Sequence, residues 1–213
     1  LKNKPDHLIL HLITSLPLFI KLTHKFDTNF ILRISGFPKL NLIRKFFWRR
    51  ISSKIKYITF PSKASLEDMK SLKIFDEKKM IFLQDPFINV SNFNKIFINK
   101  KKHENHYVTD KKYFIAVGRL TRQKNFKYLI KEFSKFCKLN NNYALLIFGE
   151  GEEKNLLKEL IIKNKLQNNI YLMGYRRNVM TYMKKAEAFI LSSLWEDPGS
   201  VLMESAYSNL YII

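Results

Sequence analysis

Two glutamates, Glu196 and Glu204, stand on either side of Pro198-Gly199-Ser200 in the stretch LWEDPGSVLMES. A Pro-Gly-Ser turn leading into VLMES predicts a helix that begins there, with Ser200 near the cap. Glu204 then falls about one turn inside the helix, while Glu196 stays on the loop before it. The exposed amides of a helix start suit an anion, and carboxylates accept hydrogen bonds well from sugar hydroxyls. Upstream, GRLTRQKNFKYLI places Arg119 and Lys124 around a loop and the start of another helix. A guanidinium, an ammonium and free helix amides together suit a phosphate or diphosphate. Each feature also has a plain structural explanation. A Glu near a helix start gains only a few tenths to about 1 kcal/mol from the helix dipole, and a single Lys in a basic chain is ordinary solvated surface.

These residues need a scaffold, and the chain supplies one in alternating runs. Short β-rich stretches begin near residues 7, 29, 56 and 79, and again near 113, 143, 169, 187 and 210. Several are continuous apolar runs, as expected of strands covered on both faces of a parallel sheet. Helical patterns lie between them. In KNFKYLIKEFSKFCKL, for example, Phe126, Leu129, Ile130, Phe133 and Phe136 share one face. The alternation predicts α/β architecture with parallel sheets. The polar, basic stretch running to residue 112 shows neither period and reads as a linker. This predicts a first domain over 1–88, a linker over 89–112 and a second domain over 113–213. Ligands of such sheets sit at the carboxyl ends of strands. Gly118, Gly149 and Gly174 each close a predicted strand of the second domain, and Gly151 and Gly199 fall in its loops.

The 213 residues carry 38 Lys and Arg against 18 Asp and Glu, a net charge of +20. With 46% apolar residues the chain can fill a core, so disorder is not expected. The charge points to anionic company, meaning phosphates, an acidic membrane surface or nucleic acid, or else to a compositional habit. Cys137 is the single cysteine, which argues against a disulfide framework and for a reducing compartment. The apolar stretch LILHLITSLPLFI is interrupted by His, Thr, Ser and Pro, so it does not read as a membrane span. No signal peptide is evident.

Four stretches occur in order: VGRLTRQKNFKYLI, IFGEGEEKNLLKELI, NIYLMGYRRNVMTYMKKAEAFILSS and EDPGSVLMESA. Together they resemble the C-terminal domain of the retaining glycosyltransferase family 4 group, whose E-x7-E signature here runs from Glu196 to Glu204. The resemblance covers residues 113–213 well and extends more loosely through 28–90. It implies the GT-B fold, two Rossmann-like parallel-sheet domains facing a cleft. Set against that pattern, the N-terminal domain is expected to be truncated here and the C-terminal one to lack its last elements.

It further implies transfer of a sugar from a UDP- or GDP-sugar type of donor to a glycan or lipid-linked acceptor. Transfer would proceed with retention and without a metal or other cofactor, with cell-surface polysaccharide synthesis as the expected setting. By the same resemblance Arg119 and Lys124 would neutralise the diphosphate, joined by Gly199 and the amides of Ser200 and Val201. Glu204 would hold the ribose hydroxyls, and Glu196 the hydroxyls of the transferred sugar. Tyr175 would lie by the base, and His11 would stand on the acceptor side. Arg119, Lys124 and Glu196 are thus the expected catalytic set.

The chain departs from the family pattern in three places. Asp197-Pro198 follows the first glutamate where Gly-Phe is usual. Asn209-Leu210-Tyr211-Ile212 replaces Gly-x-Pro-Val, with Asn209 suited to a left-handed helix C-cap. By the resemblance, the family's opening glycine-rich loop and closing elements are expected to be missing, so the chain alone is expected to lack part of the acceptor site and to be inactive.

His7 and His11 lie too far apart along a strand to chelate together, so no metal site is expected. In NLIRKFFWRRISSK, Leu42, Ile43, Phe46, Phe47 and Ile51 share a helical face, with Arg44, Lys45, Arg49, Arg50 and Lys54 on the rest and Trp48 beside them. The expected arrangement packs the apolar side on the sheet; the alternative rests it on an anionic membrane. The expected location is the cytoplasm, with the inner face of the cell membrane as a place of work. Two rival readings stay open, a basic nucleic-acid-binding protein and a non-catalytic peripheral membrane module. Against the first, the Lys residues are spread along the chain and no nucleic-acid-binding module is recognisable.

Overall fold

In the computed structural model the apolar runs of the first half pair as parallel strands. These are β1 (His7–Leu10), β2 (Asn29–Arg33), β3 (Ile55–Phe60) and β4 (Met80–Phe82), in the order β1-β2-β3-β4. The structure describes residues 4–11, 14–25, 27–36, 38, 40–84, 109–196 and 199–213, and the chain divides into two units, Leu1–Pro86 and Phe87–Ile213. Most of the predicted linker, residues 89–108, lies outside the described residues.

Parallel strands in sequential order need a crossover helix each. These are α1 (Ser15–Thr23), α2 (Leu42–Ile51) and α3 (Lys63–Ser71). The cross-strand row Leu10, Leu32, Ile58 and Met80 is buried. It shares one core with Leu18 of α1, Trp48 and Ile51 of α2, and Leu66 and Met69 of α3. All three helices therefore cover the same face. The next row, Ile9, Ile31 and Tyr57, points the other way, and Ile9 is 65% exposed. The first sheet thus has its apolar core on one face among the described residues, whereas the other face leaves Ile9 exposed at one end and buries the polar Arg33 and Thr59 at the other.

The second unit has both faces covered. β5 (Lys112–Val117), β6 (Tyr143–Phe148) and β7 (Ile170–Gly174) are parallel, in the order β5-β6-β7. The predicted strands at 187 and 210 extend the β5 side through parallel bridges from Ile115 to Phe189 and from Phe189 to Ile212. Successive strand residues face opposite ways. Ala116, Leu145 and Ile147 enter a core with α4 (Phe126–Leu139) and α5 (Lys154–Lys163). Ile115, Leu146 and Phe148 enter another with α6 (Val179–Met183) and α7 (Ser200–Tyr207). Each fully buried Leu, Ile or Phe contributes about 1.5–3 kcal/mol, so two cores on one sheet fix the strand ends firmly.

The end of α7 follows the expectation for Asn209, whose φ is 55°. The Leu210 amide donates to the Ser205 carbonyl (3.2 Å) and the Asn209 amide to the Ala206 carbonyl (2.9 Å). That is the Schellman pattern, with Asn in the place glycine usually takes.

Candidate active site

Three strands of the second unit end at one edge and release their chains there. Val117 of β5 is followed by Gly118-Arg119, Phe148 of β6 by Gly149-Glu150, and Gly174 of β7 by Tyr175-Arg176-Arg177. Two glycines let the backbone and a side chain close up. A Cβ on Gly149, at φ +140°, would stand 1.9 Å from the Gly118 carbonyl oxygen, and a Cβ on Gly118 would stand 2.7 Å from Cε of Lys124. No other residue fits at either position without displacing its neighbours.

After Arg119 the chain makes a 3-10 turn over Arg122–Lys124 and reaches Asn125 at φ 54° before α4 begins. Asn is among the few side chains that visit this left-handed region readily. The turn is tied to a segment far along the chain. The Leu194 amide donates to the Gln123 carbonyl (2.8 Å). Gln123 Nε2 donates to the Trp195 carbonyl (3.0 Å), and Ser192 Oγ donates to the Lys124 carbonyl (2.7 Å).

These ties bring Glu196 onto Lys124. Lys124 Nζ donates to Glu196 Oε1 at 2.5 Å, and Ser193 Oγ donates to the same oxygen at 2.5 Å. Beyond Glu196, Gly199 is the N-cap of α7 and no side chain caps the helix start. Among the described residues, the amides of Ser200 and Val201 at its first turn have no side-chain partner. Glu204, within α7, is half-buried. Its carboxylate has no ion-pair or hydrogen-bond partner among the described residues, and burial pushes its pKa up from the ordinary value.

Arg119, Lys124, Tyr175, Glu196, Gly199, Ser200, Val201 and Glu204, all singled out from the sequence, line one cleft of about 700 Å³. Gln123, Glu150, Arg176 and Arg177, which sequence reasoning missed, line it too. The position of the two arginines in the loop after strand-ending Gly174, just beyond Tyr175, was the available signal. Arg119, Arg176 and Arg177 are exposed, and among the described residues none of their guanidiniums is held in an ion pair. Glu150 is matched by Lys154 at 2.9 Å, so the cleft keeps a surplus of positive charge. His11 belongs to the first unit, just past β1, with Nε2 3.0 Å from Ser35 Oγ. Arranged this way, the cleft can bind an anion through cations and helix amides while two carboxylates accept from neutral hydroxyls.

Comparison with known proteins gives a consistent answer. The chain is 30% identical to a protein of Methanocaldococcus jannaschii named uncharacterized glycosyltransferase MJ1059, covering 99% of this chain and 58% of that protein. It is 32% identical to the N-acetylgalactosamine-N,N'-diacetylbacillosaminyl-diphospho-undecaprenol 4-alpha-N-acetylgalactosaminyltransferase of Campylobacter jejuni, over 81% of this chain and 45% of that protein. The chain thus spans about half the length of these relatives. Among solved structures, the pneumococcal O-GlcNAc transferase GtfA in complex with UDP and GlcNAc superposes with TM-score 0.72 at 17% identity, covering 99% of this chain and 42% of that one. Anabaena Alr3699/HepE in complex with UDP and glucose gives 0.70 at 13% identity, covering 97% and 58%. Both likenesses concern the fold, which is the α/β GT-B type. Residues 97–213, which hold every residue of the cleft, match the family model for glycosyl transferases group 1, and the chain belongs to that family.

Proposed function

We propose that this protein moves a sugar from a nucleoside-diphosphate donor to a glycan or lipid-linked acceptor, with retention at the anomeric carbon. The observation that carries the reading is the cleft itself, where the exposed Arg119, Arg176 and Arg177 and the glycine-capped start of α7 share a wall with Glu196 and Glu204. Arg119 and Lys124 take the diphosphate and stabilise the charge that develops on it as the sugar leaves, with no metal required. The amides of Ser200 and Val201 add to the same anion site. Glu204 accepts from the ribose hydroxyls, Glu196 accepts from the hydroxyls of the transferred sugar, and Tyr175 lies by the base.

UDP in the GtfA and HepE structures makes a UDP-sugar the first donor to try, with a GDP-sugar second. The Campylobacter relative's diphospho-undecaprenol acceptor and a capsular polysaccharide glycosyltransferase of Staphylococcus aureus, 29% identical, support surface-polysaccharide synthesis on a lipid-linked acceptor. Such work takes place in the cytoplasm, at the inner face of the membrane, with His11 on the acceptor side.

Calorimetric titration of UDP and GDP at low salt tests the reading. One of them should bind, and Lys124→Ala or Glu204→Ala should weaken binding about tenfold, the loss expected for one charge-assisted contact. Failure of the folded protein to bind either nucleotide would overturn it. In an active full-length enzyme, EDTA should leave turnover unchanged, and the product's anomeric configuration, read by NMR, should match the donor's.

A further inference from the structure

We infer that the outer face of α2 is a docking surface for an anionic lipid bilayer. The sequence expectation placed the apolar residues of this helix against the sheet, and the structure corrects it. Trp48 and Ile51 are buried in the first unit's core, and Phe47 packs partly against it. Leu42, Ile43 and Phe46 point outward, at 84%, 79% and 73% exposed.

The helix cannot roll to hide them. Its start is fixed by the Asn41 side chain, which accepts from the Arg44 amide at 2.8 Å. Its inner side is fixed by Trp48, which packs on Phe75 with ring centroids 5.4 Å apart and under the Arg44 guanidinium at 5.8 Å. Rotation that buried Phe46 would expose Trp48, so the outward placement belongs to the fold.

The occupant follows from the charges around the three apolar side chains. Residues 42, 43, 46, 49 and 50 follow one another at helical spacing on a single stripe. It therefore runs from Leu42, Ile43 and Phe46 directly into the exposed Arg49 and Arg50. No Asp or Glu occurs anywhere between Asp27 and Glu67. An apolar protein partner would match the three side chains and leave the arginines facing apolar surface. A bilayer matches both, taking the apolar tips into the acyl boundary and the guanidiniums at the headgroup phosphates. Among the described residues no helix is long and apolar enough to cross a membrane, so the contact is a surface one.

This deepens the reading of a lipid-linked acceptor and rests on it only for the choice of membrane face. The test uses no donor and no acceptor, so its failure is separate from failure to bind nucleotide. The full chain is sedimented with phosphatidylcholine vesicles, with and without roughly 30% phosphatidylglycerol. Binding should require the anionic lipid and fall more than about tenfold in the L42S/I43S/F46S variant. These positions are exposed, so the variant should keep its circular dichroism spectrum and its nucleotide affinity. A Phe46→Cys variant carrying an environment-sensitive dye supplies a second readout, since Cys137 is buried. Its emission should shift to the blue on anionic vesicles. The proposal is overturned by undiminished vesicle binding in the triple variant, or by unshifted dye emission. It is equally overturned by a wild type that ignores anionic vesicles and instead self-associates through this face.

Discussion

The two units use the same α/β vocabulary and end with different surfaces. In the second, Leu146 and Ile147 are adjacent on β6 yet enter separate cores, one on each face of the sheet. In the first, Leu10 is buried while Ile9 beside it is largely exposed, and one core serves the whole sheet. Where both faces are packed, the strand ends are fixed points from which Arg119, Glu150 and Tyr175 project into one cleft. In the first unit apolar side chains remain at the surface, Ile9 on the sheet face away from the helices and Leu42, Ile43 and Phe46 on the solvent side of α2. The lesson is that the same strand–helix alternation yields a preorganised polar site at fixed strand ends in one unit and apolar side chains at the surface in the other.

Substitutions can press on this contrast. The largest effect is expected from Leu146→Ala, which opens a cavity in a sheet packed on both sides and should cost about 2–5 kcal/mol in urea unfolding. Next comes Arg119→Ala in an active full-length enzyme, which should lower kcat by about a hundredfold or more and leave acceptor KM nearly unchanged. An unchanged kcat would remove the role assigned to Arg119.

A smaller effect concerns pH. Burial holds the Glu204 carboxyl above its ordinary range in the folded chain, so the folded state binds more protons than the unfolded one. Stability should therefore decline as pH rises from the unfolded carboxylate value through the raised folded one. Glu204→Gln should flatten that decline, which urea melts across this range would show. The smallest effect should be Ile9→Ser on the face of the first sheet away from the helices, within about 0.5 kcal/mol. A loss as large as that of Leu146→Ala would mean that Ile9 lies under cover, and the contrast would fail.

Much of the second unit could be read from the chain before the structure. Strand periodicity, helix starts and strand-ending glycines are local properties, so Arg119, Lys124, Glu196 and Glu204 could be placed at one edge by reasoning alone. The ion pair between Lys124 and Glu196 could not, because it depends on ties between the 3-10 turn at Arg122–Lys124 and a segment 72 residues away. Arg176 and Arg177 were hidden among the other cations of a chain with 38 Lys and Arg. In α2 the face formed by Leu42, Ile43, Phe46, Phe47 and Ile51 is a broad arc, so pattern alone could not say which part of it turns inward. The bulk of Trp48 and its place against Phe75 decide it. That the first sheet's apolar core lies on one face was likewise beyond reach, because runs such as HLIL do not specify what lies above them.

The pairing of Lys124 with Glu196 has a consequence for selectivity. Under the proposed roles, an anion entering the cleft competes with the protein's own carboxylate for the ammonium. Free phosphate could win Lys124 only by leaving Glu196, 17% exposed, and its Ser193 contact without that counter-charge. A complete nucleotide sugar brings phosphates for the cation and hydroxyls for the released carboxylate at the same time. Under those roles the resting ion pair would act as a filter against fragments of the donor, because each half of the exchange would depend on the other.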